Sequence, residues 1–284
     1  MKTKISISPS IYFRNNVYWN GRTKLKMLLG IASSPNKAIK DSQRRVQSGP
    51  LTTTELEMMT QTQVKKVGRT SKARAEGEIT DASYVNPVGE LPMQHKGATL
   101  LKNVLQHNPD IRSVANIGAR VDLVSAYLAP KFPGVQFTSV DLQLNVKEHN
   151  QDLPQAPNWD FLGGYALHLM EEGRLAADLV FMTSTSVLFN NVELDSYLAA
   201  IAKRTKMVVL NEPWWPDLLS TGLGIVRPED IPLNDPICSG AHGNYHHNYL
   251  AKLERHGYQI VSSEILPAKE VGSYCLQVVA RKHT

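Results

Sequence analysis

Cysteine is scarce in this 284-residue chain: Cys238 and Cys275 are the two cysteines, and they do not form a Cys-x-x-Cys pair. A disulfide framework and a cysteine-rich zinc site are therefore both disfavoured. Long apolar runs are also missing, because stretches such as 179–182 and 207–210 have the length of a strand and fall far short of the roughly 20 residues that span a bilayer. No apolar segment with a small-residue cleavage site follows the N-terminal lysines, which argues against a secretory signal. We expect a cytoplasmic protein with no membrane span, and we assign no metal site.

Negative charge is scarce at the N-terminal end. Residues 1–80 contain 15 Lys and Arg against 5 Asp and Glu, and the remainder contains 16 against 21, so the two parts carry net charges of +10 and −5. A basic arm on an acidic body suits an anionic substrate, a nucleic acid or a membrane surface, and it is equally typical of a solvated helical extension. The pattern predicts that residues 1–94 form a basic, mainly helical extension that acts as a lid, with the apolar residues of 1–20 packed against the rest.

From residue 95 onward the sequence alternates between helix and strand signals. This alternation predicts an α/β domain over residues 95–284, built on a doubly wound, seven-stranded, mostly parallel sheet. The predicted strands are 113–117, 135–140, 158–162, 178–182, 206–211, 258–265 and 273–280. The predicted helices are 95–106, 122–128, 165–172, 192–203 and 245–256.

A glycine turn and a carboxylate follow the first two strands. Gly118 comes directly after strand 1, and Asp141 ends strand 2 twenty-odd residues later. Both should meet at the carboxyl edge of a parallel sheet, where ligands bind. Here the chain resembles the class I, Rossmann-like S-adenosylmethionine-dependent methyltransferases, a resemblance that covers residues 95–284 and includes their closing helix-strand-strand unit. It implies that S-adenosylmethionine is the cofactor.

The resemblance also implies which residues contact that cofactor. Gly118 would let the backbone approach the methionine part, Asp141 would accept hydrogen bonds from both ribose hydroxyls, and Asp160, near the end of strand 3, would meet the adenine amino group. The full set implied is Asn116, Gly118, Ala119, Asp141, Leu142, Asp160 and Thr183.

The chain departs from this family in the glycine turn. The usual acidic residue is Asn116, and Arg120 and Asp122 stand where further glycines are common. Asn116 can still accept a hydrogen bond from an ammonium group, without charge assistance. Asp122 either compensates for the missing charge or serves as an N-terminal helix residue. A nicotinamide-binding domain is disfavoured, because its G-x-G-x-x-G motif is not present.

The loops after strands 4 and 5 are expected to bind the methyl acceptor. The segment Thr183-Ser-Thr-Ser186 stands where methyltransferases of nucleic-acid bases carry a polar-Pro-Pro-aromatic motif, which argues against base N-methylation. Glu212 is a candidate base or acidic anchor, and Trp214 and Trp215 are candidates for an apolar platform. The alternative for this segment is a packed Pro-Trp turn.

A histidine-rich run is predicted to lie where the last helix begins. His242, His246 and His247 titrate near neutrality, so one of them is a candidate base for an acceptor hydroxyl or a ligand of a divalent metal. His242 and His246 could share one helix face. The run is similar to bacterial sugar O-methyltransferases over about twenty residues. The alternative is that these histidines are helix or surface residues without chemistry.

Four functions remain open. The first is methyl transfer to a hydroxyl of a small molecule, such as a sugar or natural product. The second is a different use of the same cofactor, by intramolecular cyclisation or aminocarboxypropyl transfer, which releases methylthioadenosine. The third is RNA methylation with the basic arm as the RNA contact, and the fourth is a non-catalytic scaffold. A homodimer is compatible with all four.

Overall fold

The computed structural model describes residues 1–7, 93–142, 145–214, 226–239, 244–267 and 274–283. The strands are β1 (Lys4–Ile5), β2 (Ser113–Ile117), β3 (Gln136–Asp141), β4 (Trp159–Gly163), β5 (Leu179–Thr183), β6 (Met207–Trp214), β7 (Ile237–Ser239), β8 (Asn244–His246), β9 (Tyr258–Pro267) and β10 (Tyr274–Lys282). The α-helices are α1 (Met93–His107), α2 (Leu123–Leu128), α3 (Val146–Asn150), α4 (Ala166–Glu171), α5 (Asn191–Ala202) and α6 (Tyr249–Arg255). Short 3-10 turns lie at Ala129–Lys131, Ser186–Leu188 and Pro228–Asp230.

Eight of these strands form one sheet in the order β1-β9-β10-β6-β5-β2-β3-β4, and β7 pairs with β8 in a separate ribbon. The five adjacent strands β6, β5, β2, β3 and β4 are parallel to one another, whereas β10 runs antiparallel to both β6 and β9. The chain leaves β2 on one side towards β3 and later returns on its other side at β5. This reversal of strand order at β2 is a topological switch point, where open α/β sheets bind ligands.

The α/β sheet expected from the sequence is confirmed, with one strand more than the seven predicted. The extra strand is β1, whose Lys4 and Ile5 pair in parallel with Glu264 and Ile265 on β9. Thr3 anchors this strand, because its N–H and hydroxyl both donate to the carboxylate of Glu229, at 2.8 and 2.7 Å. The helices predicted within 8–92 lie outside the described residues.

Two apolar cores cover the two faces of the sheet. On one face α1 and α2 pack against β2, β3 and β5, and on the other α4, α5 and α6 pack against β5, β6 and β10. The central strands are buried on both faces, so their sequences are almost continuously apolar rather than alternating. The polar residues that interrupt them therefore stand out, and most lie near the carboxyl ends of the strands.

Two element boundaries differ from the prediction and move candidate residues. β6 continues to Trp214 instead of ending at 211, because its last residues still pair with β10. Pairing of β6 with β5 stops at Asn211, so Pro213 has a strand on one side only, where a missing N–H is tolerated. The last helix begins at Tyr249 rather than 245, because Asn248 caps it through the N–H of Ala251 and His246 belongs to β8.

In the part of the chain that the structure describes, no helix combines the length and the apolar character that a membrane crossing requires.

We predict that Gly97→Ala destabilises the protein by about 1–3 kcal/mol, the usual cost of overpacking a core. A Cβ at Gly97 would lie 2.9 Å from Phe181 Cζ and 3.0 Å from Asn211 Nδ2, so α1 would have to move away from the sheet. Urea unfolding measures the effect. Gly134→Ala is the matched control, because its Cβ would meet only Arg112 at 3.7 Å, and equal destabilisation by both variants would contradict this account of α1 packing.

Candidate functional site

The carboxyl ends of β2 and β3 bring a glycine turn beside a carboxylate. Gly118 directly follows β2 with a φ of +78°, in the left-handed region that favours glycine. The N–H groups of Gly118 and Ala119 both donate to the carbonyl of Val140, at 2.8 and 3.0 Å. The turn is thereby fixed to the end of β3, where Asp141 follows Val140.

Asp141 lies between two glycine segments at this edge. Its backbone carbonyl accepts a hydrogen bond from Gly164 N–H at 2.8 Å, and its position in β3 pairs with Gly163 in β4. Asp141 as a whole residue is 8% exposed, and Gly118 is exposed at the surface. Glycines flank this carboxylate at positions 118, 163 and 164.

The loop after β5 closes over the glycine turn. A Cβ at Gly118 would clash with Thr185 Oγ1, so both this contact and the positive φ require glycine. The sequence predicted close approach by the cofactor here, and the group that makes the close approach within the protein is Thr185. Its hydroxyl is oriented by donation to the carbonyl of Thr183 at 3.1 Å.

Ser184 is a strained residue that the sequence analysis did not single out. Its φ of 55° places a non-glycine residue in the left-handed region, at the carboxyl end of a central strand. Its N–H donates to the carbonyl of Asn211 at 3.2 Å, and its side chain is exposed. Such strain of about 1–3 kcal/mol persists only where the surroundings impose it, and it often accompanies functional sites. Ser184 is therefore an additional candidate for acceptor contact.

The buried carboxyl of Glu212 imposes this loop conformation. Its two oxygens accept hydrogen bonds from Thr185 N–H at 2.9 Å and Ser186 N–H at 3.1 Å. Glu212 has no exposed surface, and burial raises its pKa from 4.5 to about 7 despite these hydrogen bonds. The sequence predicted a base or acidic anchor facing the acceptor; in the structure this group faces inward and holds the loop.

Asn116 takes part in a buried polar network beneath the glycine turn. Its side chain donates a hydrogen bond to Asp122, whose carboxylate also accepts from Ser125 N–H at 2.8 Å and from the hydroxyl of Ser139. Burial raises the pKa of Asp122, which is also the N-cap of α2. Asn116 stands where the family usually has an acidic residue, and the carboxylate of Asp122, six residues later, contacts Asn116. Among the described residues, Asn116 Oδ1 has no hydrogen-bond partner.

Two of the three candidate histidines lie inside the protein. His246 and His247 have no exposed surface, and burial lowers the pKa of each from 6.5 to about 3, so both are neutral at physiological pH. The His246 ring meets Trp214 edge-on at 5.2 Å, and His247 Nε2 donates to the carbonyl of Phe189 at 2.9 Å. Neither is the helix-terminal residue that the sequence suggested. His242 lies outside the described residues.

Trp214 is likewise a core residue and not an exposed platform. It is completely buried, and its Nε1–H donates to the carbonyl of Val226 at 2.8 Å. The alternative of a packed Pro-Trp segment matches this position, although the segment belongs to β6 rather than to a turn. Trp215 lies outside the described residues. Across the described parts of the chain, no three His, Cys, Asp or Glu residues converge as a metal site.

The remaining predicted cofactor residues separate into two groups. Ala119, Leu142 and Thr183 lie at the same edge as Asp141, although the Thr183 hydroxyl already donates to the carbonyl of Asn211 and accepts from its Nδ2. Asp160 does not join them. It is the second residue of β4, three positions before the residue that pairs with Asp141, and its exposed carboxylate accepts a hydrogen bond from Gln136 at 2.9 Å. Three positions along a strand separate it from the edge by about 10 Å, so this placement does not favour the adenine contact, which stays a prediction.

Solved structures share the fold of this chain. One is the 1,6-didemethyltoxoflavin-N1-methyltransferase of Burkholderia thailandensis, with its substrate and S-adenosylhomocysteine bound: it has a TM-score of 0.53 and 16% identity, and the match covers 84% of this chain and 93% of that one. Another is the magnesium protoporphyrin IX methyltransferase of Synechocystis PCC 6803 with S-adenosylhomocysteine bound, with a TM-score of 0.50, 15% identity and coverage of 78% and 100%. The chain has the class I methyltransferase fold.

No protein-family model and no curated protein matches the sequence of this chain. At 14–16% identity, likeness to solved structures establishes the fold, and the activity has to be argued from the residues of the site.

Two residues at the end of β5, Ser184 and Thr185, were not singled out as ligand contacts from the sequence. Ser184 and Thr185 belong to a run of four hydroxyl residues that directly follows a buried apolar strand. That run was available in the sequence as a signal of a polar loop at the ligand edge. The left-handed conformation of Ser184 was not, because it depends on Glu212, which is 28 positions further along the chain.

We predict that Glu212→Gln changes the pH dependence of stability. The folded-state pKa of Glu212 is raised from 4.5 to about 7, so the stability that protonation provides is present at pH 4.5 and is lost as the pH rises through 7. Glutamine keeps the neutral form at all pH values. Between pH 4.5 and pH 8 the free energy of unfolding of the variant should therefore gain about 3 kcal/mol relative to wild type.

Urea unfolding of both proteins at the two pH values measures this difference. The contributions of His246 and His247 are common to both proteins and cancel. Glu254→Gln is the matched control, since Glu254 is exposed, and it should give a difference that changes little with pH. A Glu212→Gln difference that is also independent of pH would contradict the buried, protonated carboxyl.

Proposed function

We propose that this protein is an S-adenosylmethionine-dependent methyltransferase that methylates a hydroxyl group of a small molecule. The observation that carries the proposal is the position of Asp141, held between the Gly118 turn and Gly164 at the switch point of the sheet. A carboxylate accepts hydrogen bonds from two vicinal hydroxyls at once, and glycines flank this one at positions 118 and 164. This is the arrangement that a ribose requires.

The residues at the edge fit S-adenosylmethionine. Asp141 would accept from the ribose hydroxyls, and the exposed backbone at Gly118 would lie against the methionine part of the cofactor. Asn116 Oδ1 is a buried acceptor without a described partner, which suits the cofactor's ammonium group. When bound, the cofactor supplies a methyl group attached to a positively charged sulfur. An acceptor oxygen would form a bond to the methyl carbon, in line with the carbon–sulfur bond that breaks.

The protein's own residues would orient the acceptor and accept its proton. Ser184 is exposed at the end of β5 and is the best placed described residue for a hydrogen bond to an acceptor hydroxyl. His246 and His247 are completely buried, which leaves His242 as the candidate general base in the histidine-rich run. Leu188, which is 55% exposed in the turn after Ser184, offers an apolar contact on the same loop.

A small-molecule acceptor agrees with the loop after β5. Thr183-Ser-Thr-Ser186 lacks the paired prolines and the aromatic residue on which base-specific enzymes stack their substrate. The two methyltransferases compared above are named for small molecules, 1,6-didemethyltoxoflavin and magnesium protoporphyrin IX. Oxygen rather than nitrogen as the acceptor atom rests on the histidine-rich run and its resemblance to sugar O-methyltransferases.

We predict that Asp141→Ala weakens binding of S-adenosylhomocysteine by about 100-fold, because two hydrogen bonds to a charged group are lost. Isothermal titration calorimetry measures the dissociation constant. Asp160→Ala is the matched control, because this carboxylate lies on the neighbouring strand but three positions from the edge, and it should bind as wild type does. Equal loss in both variants, or equal binding by Asp141→Ala and wild type, would contradict the proposed cofactor site.

A second experiment separates methyl transfer from other uses of the cofactor. The purified protein is incubated with S-adenosylmethionine, first alone and then with a panel of sugars and phenols, and the products are identified by mass spectrometry. We expect an unchanged cofactor without acceptor, and S-adenosylhomocysteine together with a product heavier by one methylene when an acceptor is present. Methylthioadenosine in either reaction would instead indicate cyclisation or aminocarboxypropyl transfer.

A further inference from the structure

The turn that follows β2 brings a positive charge to the carboxyl edge of the sheet. Arg120 is the second residue after Gly118 and is half-buried. The other residues around this turn are enclosed, since Asn116, Ile117 and Ala119 are 2%, 3% and 6% exposed. Gly118 and Arg120 are therefore the two positions between 116 and 120 at which the chain reaches the surface.

The backbone that carries Arg120 is fixed by a buried asparagine. Asn150 Nδ2 donates to the carbonyl of Arg120 at 3.2 Å, and Asn150 Oδ1 accepts from Asp122 N–H at 2.7 Å. Asn150 is itself completely buried, and its Nδ2 also donates to the carbonyl of Val146 at 2.7 Å. A ligand that binds the Arg120 side chain would therefore not have to order the turn, which lowers the entropic cost of binding.

The guanidinium of Arg120 is not neutralised within the described parts of the chain. Arg120 forms no ion pair there, and its hydrogen bond to Asn150 uses the backbone carbonyl. The carboxylate two positions later belongs to Asp122, which is 2% exposed and is bonded to Ser125, Ser139 and Asn116. A guanidinium carries five donors and no acceptor, so Arg120 retains the capacity to bind an anionic group.

The turn treats the two charged groups at the amino-acid end of S-adenosylmethionine differently. For the ammonium group it has Asn116 Oδ1, a neutral acceptor that lacks a partner among the described residues. For the carboxylate it has the full positive charge of Arg120. A hydrogen bond is roughly twice as strong when a charged partner takes part, and here both partners of the carboxylate bond are charged. The carboxylate should therefore contribute more to binding than the ammonium group.

We propose that Arg120 binds the carboxylate of the cofactor in a two-point hydrogen bond, and that this protein recognises the carboxylate more strongly than the ammonium group. The planar guanidinium has the geometry for such a bond. The inference rests on the proposed function, because it requires S-adenosylmethionine at this edge. It extends that function by naming the residue and the ligand group that decide which cofactor analogues bind.

Three probes test the order of the two groups by isothermal titration calorimetry on the full chain. They are S-adenosylhomocysteine, its decarboxylated analogue, which keeps the amine, and its deaminated analogue, which keeps the carboxylate. Relative to S-adenosylhomocysteine, we expect the decarboxylated analogue to bind about tenfold more weakly and the deaminated analogue about threefold more weakly. A greater loss for the deaminated analogue would overturn the proposed preference.

A substitution at Arg120 tests the contact itself. Arg120→Met should weaken S-adenosylhomocysteine about tenfold and leave the decarboxylated analogue unchanged, because that probe lacks the group that Arg120 binds. Arg120→Lys should recover part of the loss, since it restores the charge without the planar pair of donors. Lys147→Gln is the matched control: it removes an exposed positive charge from α3, and it should bind all three probes as wild type does.

The outcomes separate this inference from the proposed function. Arg120→Met that binds S-adenosylhomocysteine as wild type does, or that weakens the parent and the decarboxylated analogue equally, would overturn the contact. Equal weakening by Lys147→Gln would do the same, because it would indicate a general effect of charge. Wild type that does not bind S-adenosylhomocysteine would overturn the proposed function and this inference together. Weakening by Asp141→Ala but not by Arg120→Met would overturn this inference alone.

Discussion

The hydrogen bonds from Thr185 and Ser186 N–H to the buried carboxyl of Glu212 fix the loop that follows β5. With these two donors held, Ser184 is kept in a left-handed conformation and Thr185 is pressed against Gly118. The Gly118 turn is in turn bonded to Val140, beside Asp141. One buried carboxyl on β6 thus determines how three other strand ends meet at the edge where a ligand would bind.

Burial assigns different roles to polar residues that look equivalent in the sequence. Glu212, His246 and His247 titrate in water within the range of common catalytic acids and bases, yet here they are enclosed and act as structural partners of backbone groups or aromatic rings. Asp141 and Ser184 lie at the carboxyl edge of the sheet, where Asp141 is 8% exposed and Ser184 is exposed. Because desolvation penalises charge, the enclosed histidines are neutral, and their complete burial separates them from a ligand at the surface.

The sequence predicted the order and nature of the elements because strands buried on both faces have an apolar signature that does not depend on partners. The Gly118 turn and Asp141 were predictable for the same local reason: each directly follows an apolar strand. Asp160 lies away from the edge because β4 begins one residue before it and continues for three residues after it. Glu212 and Trp214 were misassigned because only pairing with β10, sixty residues away, extends β6 beyond Asn211. Such long-range pairing leaves no local pattern.

A crystal structure of the protein with S-adenosylhomocysteine tests the central claim most directly. The account predicts that both ribose hydroxyls donate to the carboxylate of Asp141 and that the methionine part passes Gly118 within reach of Asn116 Oδ1. Density for the ligand away from the carboxyl ends of β2 and β3, or a ribose that does not contact Asp141, would contradict it.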